Sequence, residues 1–320
     1  MNSDDLNHDD LLNHDDLASD IPAAATGRFF CAESARLRGD PMAGTASPGT
    51  VWVLIEYRGG WPPNGFDGLD LEAGTKALVS SAARAARARV LLVRRPGPRR
   101  RHGPSQWAVL RRQSSGAQEQ LWGTWDRDED LAEIVPALSS SGKPGFPPVI
   151  LICAHGQHDT CCAVRGRPVG HALSGRWPEL VWECSHVGGD RFAATAVIAP
   201  DGVYYGGLDA ESAVATIEDH LADRIRAEYL RGYTDLLPPQ QAAVVAVLGH
   251  FGPAGRNDYL VTETLNEGDH WRIHITGRPP QPEHIEVELQ SRRSPPCQLT
   301  CRGPTMGSVV VYEPTSIRRA

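Results

Sequence analysis

Two successive runs of one element order, β-α-β-β-β-α, followed by a mixed tail, predict an α/β (α+β) chain of two related units and a small C-terminal α+β appendage. Three observations carry this prediction: the order recurs on either side of residue 145, the stretch between the copies, SSSGKPGFPP (139–148), has a linker's composition, and 320 residues with 41 % apolar content suit two domains plus an appendage.

The first copy opens with TVWVLIEY (50–57), a run of β-branched and aromatic residues that reads as a buried strand. A Gly/Pro-rich loop (58–68) leads to LEAGTKALVSSAARAARA (71–88), Ala-rich and free of Pro, hence a helix. VLLVRR (90–95), QWAVLRR (106–112) and EQLWGTW (119–125) are strands, and DLAEIVPAL (130–138) is a short closing helix limited by Pro136. This order is that of an incomplete thioredoxin-like unit. The second copy starts at VILICAH (149–155), a strand ending in Cys and His. A helix opened by Pro168 is expected over 168–176, then a strand at 180–186 and a hairpin of ATAVIAP and VYYGGL turning at Asp201–Gly202. Asp209 caps a helix with apolar Val214, Ile217, Leu221 and Ile225 at helical spacing. In the tail, 238–252 is a helix, and DYLVTETL, HWRIHITG, HIEVELQ and GSVVVYE are strands. The expected division is a disordered acidic leader (1–27), a first thioredoxin-like unit (28–140), a second one with a metal site (147–230) and the appendage (231–320).

The charge is unevenly placed. Residues 1–27 hold seven Asp and no Lys or Arg, which accounts for the whole formal charge of −7. The leader, with NHDDL at 7–11 and again at 13–17, has neither the basic start nor the apolar stretch of a signal peptide, and no apolar run approaches the ~20 residues of a membrane span. A cytoplasmic protein is the expectation. The Arg-rich segment 94–104 has no interleaved aromatics and reads as a solvated loop rather than a nucleic-acid surface.

Seven cysteines without a secretion signal argue for thiolate chemistry or metal binding rather than disulfides. Four of them, Cys153, Cys161, Cys162 and Cys184, fall within 32 residues, accompanied by His155, His158, His186 and Asp190. Strand ends and tight loops can bring such ligands to one centre, and Gly188–Gly189 allows a sharp turn around it. Thiolate and imidazole together select zinc or an iron–sulfur centre. Cys297 and Cys301 lack nearby partner ligands in the sequence and read as part of a surface loop.

The segments CAHGQHDTCCAVRG, WECSHVGGDRFAATAVI and GVYYGGL resemble the sucrase/ferredoxin-like family, as does AGTASPGTVWVLIEYRGGW (43–61), and the resemblance covers roughly 28–230. It implies a core similar to thioredoxin-like 2Fe–2S ferredoxins and a cluster held by two cysteines and two histidines. The family's C-x8-C pair falls on Cys153 and Cys162, and its H-x3-H pair on His186 and Asp190, where Asp stands in place of His. Cys184 is the reserve for the fourth ligand, and Cys161 could replace Cys162. The function implied is one-electron transfer between a redox donor and an acceptor protein, with no membrane or nucleic-acid partner. No pair of carboxylates is spaced to suggest a glycosidase, so an electron carrier is favoured over a hydrolase. The alternative is structural zinc on Cys153, His155, His158 and Cys162, or vicinal-thiol redox chemistry at Cys161–Cys162.

Overall fold

The apolar run of β1 (Val51–Glu56) becomes a strand buried on both faces, as an inner strand of a covered sheet must be. The computed structural model describes residues 28–97 and 103–320. The acidic leader and the centre of the Arg-rich segment, to which the expectations of disorder and of a solvated loop apply, lie outside them. A helix that the sequence reading did not anticipate, α1 (Cys31–Arg38), precedes β1. After β1 come α2 (Ala73–Ala85), β2 (Arg89–Arg94), β3 (Ser105–Arg112), β4 (Gln118–Trp125) and, after a 3₁₀ turn at Asp128–Glu133, the single-turn α3 (Ile134–Ala137). The second copy is β5 (Val149–Cys153), α4 (Thr160–Arg176), β6 (Val181–Cys184), β7 (Ala196–Ala199), β8 (Val203–Tyr205) and α5 (Ala210–Leu221). Then follow β9 (Leu230–Tyr233), α6 (Pro238–Phe251), β10 (Tyr259–Glu267), β11 (His270–Gly277), β12 (His284–Arg293) and β13 (Val310–Arg319).

The two copies have the same sheet topology. The first orders its strands β4-β3-β1-β2 and the second β6-β5-β7-β8, each with one parallel pair next to antiparallel ones. They join edge to edge: β2 pairs antiparallel with β6 through Val93↔Cys184 and Arg94↔Glu183, and β9 extends the far side, giving one nine-stranded sheet. One core cluster runs through both copies, with Trp52 and Leu54 from the first and Leu151, Trp182 and Tyr204 from the second. The C-terminal strands form a separate antiparallel sheet in the order β10-β11-β12-β13. Its Ile273, Ile285 and Val287 share a core with α6 and with Ile150 and Ile198 of the large sheet, so the appendage is packed on the second copy. The α/β class stands. Among the described residues, no helix is long and apolar enough to cross a membrane.

Two helices differ from expectation. α4 begins at Thr160, eight residues before Pro168, because Asp159 caps it by accepting the Cys161 N–H at 2.8 Å. Pro168 is accommodated inside the helix on an exposed stretch with Arg167. α5 stops at Leu221, and Ile225 lies beyond it in a bridge with Ala254.

α4 lies close on the end of β5. A Cβ built on Gly166 would stand 2.0 Å from the Cys153 carbonyl oxygen, a backbone atom that cannot swing aside. Replacing a helical Gly with Ala ordinarily stabilises by up to about 1 kcal/mol. Here Gly166→Ala should instead destabilise by about 1–3 kcal/mol through overpacking. Urea unfolding checks this, and a stabilised variant would contradict the close approach.

Candidate metal centre

Parallel pairing of β5 with β6 sets Cys153 beside Cys184 at the carboxyl ends of two neighbouring strands. The chain leaves β5 through Ala154–Asp159 and enters α4, whose first turn carries Cys161 and Cys162. It leaves β6 through Ser185 and the loop His186–Asp190. Two loops and a helix start therefore meet above the strand ends, the usual location of sites in sheets with parallel strands.

The four residues expected as ligands fall in two overlapping groups, Cys153, Cys162 and His186 in one and His158, His186 and Asp190 in the other. The ligand atoms of Cys153, Cys162 and His186 lie within 4.8 Å of one another. The Cys162 thiol donates to Asp190 Oδ1 at 3.1 Å, and His186 Nδ1 lies 3.0 Å from the same oxygen. Cys153, Cys162 and Asp190 are buried, whereas the His186 side chain is 27 % exposed. Its Nδ1 is itself buried and, among the described residues, makes no aligned hydrogen bond.

Charge is held at this place. Burial opposes a proton on His186, but the adjoining Asp190 and Cys153 outweigh it and raise the ring's pKa to about 9. Burial likewise opposes ionisation of Asp190, and His186 overcomes it to hold the carboxyl below its ordinary value. Cys153 is lowered to about 5 by the Cys162 thiol hydrogen-bonded to it and by His186, against the effect of burial. Cys162, facing that thiolate from within the core, is pushed up. These shifts favour a thiolate at Cys153, a proton on His186 and a thiol at Cys162.

The other candidates are placed differently. Cys184 is fully buried in the core, its pKa raised by desolvation, and among the described residues it belongs to none of the groups of side chains close enough to share an ion. Because β6 ends at Cys184, the strand periodicity that would have put it on the same face as His186 does not continue. Cys161 cannot replace Cys162: neighbours in a helix point about 100° apart, and Cys161 turns away to pack with Cys31 and Cys301. His155 is committed elsewhere, its Nε2 2.9 Å from the Pro62 carbonyl and its Nδ1 accepting the His186 N–H at 3.2 Å, so it positions His186. His158 is more exposed, stacks on His186 with ring centroids 3.7 Å apart, and has Nε2 3.9 Å from Asp190 Oδ2. The tetrad Cys153, His155, His158 and Cys162 is therefore not a shell.

Sequence reasoning missed what fixes the His186–Asp190 loop. The Val187 carbonyl accepts from Ser47 Oγ (3.0 Å), Arg89 Nη2 (3.1 Å) and the Tyr204 hydroxyl (3.3 Å). Gly188 offers its carbonyl to Arg231 Nη1 at 2.9 Å. Arg231 is buried, its pKa lowered to about 10 by desolvation, and it also holds Thr45. Gly189, at φ +79°, leaves no space for a Cβ, which would stand 2.2 Å from Arg231 Nη2. Two lone arginines far from the motif gave no signal in sequence. Beyond the loop, a cleft of about 460 Å³ opens over the site, with Phe66 and Arg84 on one wall and His155, His158 and His186 on the other.

Residues 42–232 match the model of the sucrase/ferredoxin-like family, and the chain belongs to that family. Comparison with curated proteins and with solved structures gives no significant match.

In the metal-free protein the raised pKa of His186 has a definite sign. Its contribution to stability is full below the unfolded-state value near 6.5 and is lost as pH rises through about 9. Asp190→Asn removes the charge that holds the proton, so the His186 pKa should fall. Titration of the ring by NMR reads this directly; an unmoved pKa would show that Asp190 does not act on the ring.

Proposed function

We propose that this sucrase/ferredoxin-like protein is a one-electron carrier holding a 2Fe–2S cluster on Cys153, Cys162, His186 and Asp190. The observation that carries the reading is the convergence of the buried Cys153 and Cys162 sulfurs with a ring nitrogen of His186, all within 4.8 Å of one another, and with Asp190 Oδ1 3.1 Å from Cys162 Sγ and 3.0 Å from His186 Nδ1. When bound, the cluster would supply a reversible one-electron couple. Cys153 and Cys162 supply the anionic sulfur ligands, while His186, neutral when ligating, donates through Nδ1. Asp190 supplies a harder oxygen donor in place of a second imidazole, which makes the site more labile than a two-histidine shell. The cleft against His186 and His158 is where donor and acceptor proteins would approach, and where a proton could reach the ring.

The 4.8 Å spacing of the Cys153, Cys162 and His186 ligand atoms favours a second reading, a single zinc ion on the same residues with Asp190. Anaerobic purification followed by iron, acid-labile sulfide and zinc determination separates the two. A brown protein with iron and sulfide in equal amounts supports the first reading; a colourless one with zinc on these ligands supports the second. Cys153→Ala or Cys162→Ala should reduce iron and sulfide more than tenfold, whereas Asp190→His should retain both and Cys184→Ala should leave the ligand set complete. Retention of a full cluster in either of the first two variants would overturn the assignment.

The electron couple should also depend on pH. Oxidised metal lowers the proton affinity of a ligated His186 and reduction raises it. Between the two resulting pKa values the potential should fall by about 59 mV per pH unit, the limit for one proton with one electron. Voltammetry from pH 5 to 10 tests this; a flat line would mean that His186 is not a ligand or that its second nitrogen is shut off from solvent, and either outcome removes the proton coupling.

A further inference from the structure

Cys161 belongs to a second cluster that the function above does not use. Three segments remote in sequence converge there: the first residue of α1, the first turn of α4 and the loop between β12 and β13. Cys161 Sγ lies 3.4 Å from Cys301 Sγ, and Cys301 Sγ lies 3.6 Å from Cys31 Sγ. Cys31 Sγ is 3.7 and 3.8 Å from the two carboxylate oxygens of Asp159. One ligand atom from each of these four residues falls within 4.8 Å of all the others. Cys31, Cys161 and Asp159 are buried, and Cys301 is half-buried at the rim.

We infer that Cys31, Cys161, Cys301 and Asp159 form a binding site for a single zinc-type divalent cation, separate from the Cys153–Cys162–His186–Asp190 centre. Two thiolates bound to one tetrahedral zinc at about 2.3 Å stand about 3.8 Å apart, close to the separations found here. Three sulfurs and one oxygen complete a four-coordinate shell, and with three of the four donors buried it is closed in the manner of structural sites. The surrounding hydrogen bonds are those of an outer shell that orients ligands. The Ala32 N–H points at Cys161 Sγ at 3.5 Å, and the Asp159 oxygens accept the N–H groups of Cys161 (2.8 Å) and Cys301 (2.7 Å). Each carboxylate oxygen keeps a second lone pair for the cation.

Binding replaces the thiol protons of Cys31, Cys161 and Cys301, which are released to solvent, and no electron is transferred. Without the cation, three sulfurs and a carboxylate are packed against one another with no opposing charge among the four. With it, α1 and the 294–309 loop are fastened to the start of α4, one residue from Cys162. Cys301 does lie in a loop, as expected, but it does not lack partner ligands: they come from positions 31, 159 and 161, which no local spacing could show.

The test is zinc content and zinc-edge X-ray absorption on the full-length protein purified anaerobically from zinc-supplemented cells. One zinc per chain is expected, with three sulfur neighbours and one oxygen neighbour. Cys301→Ser, at the half-exposed ligand, should lower zinc occupancy more than tenfold while the helical circular dichroism and the iron and sulfide content stay unchanged. Cys153→Ala should leave the zinc in place, so failure at the first centre is read separately. Absence of zinc, imidazole nitrogen in the shell of the zinc that remains in Cys153→Ala, iron in this shell, zinc retained when Cys301→Ser is combined with Cys153→Ala, or a Cys161–Cys301 disulfide found by mass spectrometry under non-reducing conditions would each overturn the inference.

Discussion

The parallel pairing of β5 and β6 is the constraint from which the candidate centre follows. Parallel strands must deliver their carboxyl ends to the same edge, and the crossover between them must be a long connection, here α4. The same pairing thus places Cys153 at one strand end, starts the His186–Asp190 loop at the other, and brings the first turn of α4 between them. The first copy has the same topology in β1 and β2, but its β1 ends in Glu56 and Tyr57 and carries no comparable ligands. It contributes differently: β2 supplies the edge on which β6 pairs, and Arg89 from β2 holds Val187. A repeated fold has been divided into one half that carries the Cys/His/Asp cluster and one that braces it.

The bracing is needed because the centre concentrates ionisable groups in the core. Asp190, Cys153 and Cys162 are nearly inaccessible; the charged forms of Asp190 and Cys153 are tolerated only through neighbours, and Cys162 is held as the thiol. Such mutual dependence makes position critical, since Coulomb energies in a medium of low polarity change steeply with distance. The loop that carries two of the groups is accordingly fixed by backbone carbonyls rather than by its own side chains. Arg231 does this from a fully buried position, donating to Gly188 and Thr45 with no carboxylate in contact. A buried guanidinium of that kind is costly unless its donors are used, and here four hydrogen bonds use them.

Much of this was legible in sequence, and the limits have physical causes. Apolar runs such as VWVLIE and VILIC identify inner strands because burial on both faces leaves no alternation to misread. Spacing around strand ends and a double glycine showed a cluster that also held Cys161, Cys184, His155 and His158; singling out Cys153, Cys162, His186 and Asp190 was what the family resemblance implied. The start of α4 was missed because Pro168 resembles a first-turn residue more strongly than Asp159 resembles a cap. The edge-to-edge joining of the two copies was not visible, since β2–β6 pairing rests on backbone groups that every strand has. Arg231, Ser47 and Arg89 were invisible for the related reason that a side chain serving a distant carbonyl has no motif.

The consecutive pair Cys161–Cys162 shows how helix geometry divides a sequence motif. Two adjacent cysteines in an extended loop could exchange roles at one metal, and a vicinal disulfide or a shared ligand position would be natural readings. Once Asp159 caps the helix, neighbouring side chains diverge by about 100° and the two thiols are committed to different surroundings. Cys162 enters the core shared by the two copies, while Cys161 joins Cys31, Ala32 and Ala193. The cap therefore does more than start a helix. By fixing the phase of the first turn it sends one thiol toward His186 and the other toward the N-terminal helix and the C-terminal loop, and its own carboxylate remains with the second group.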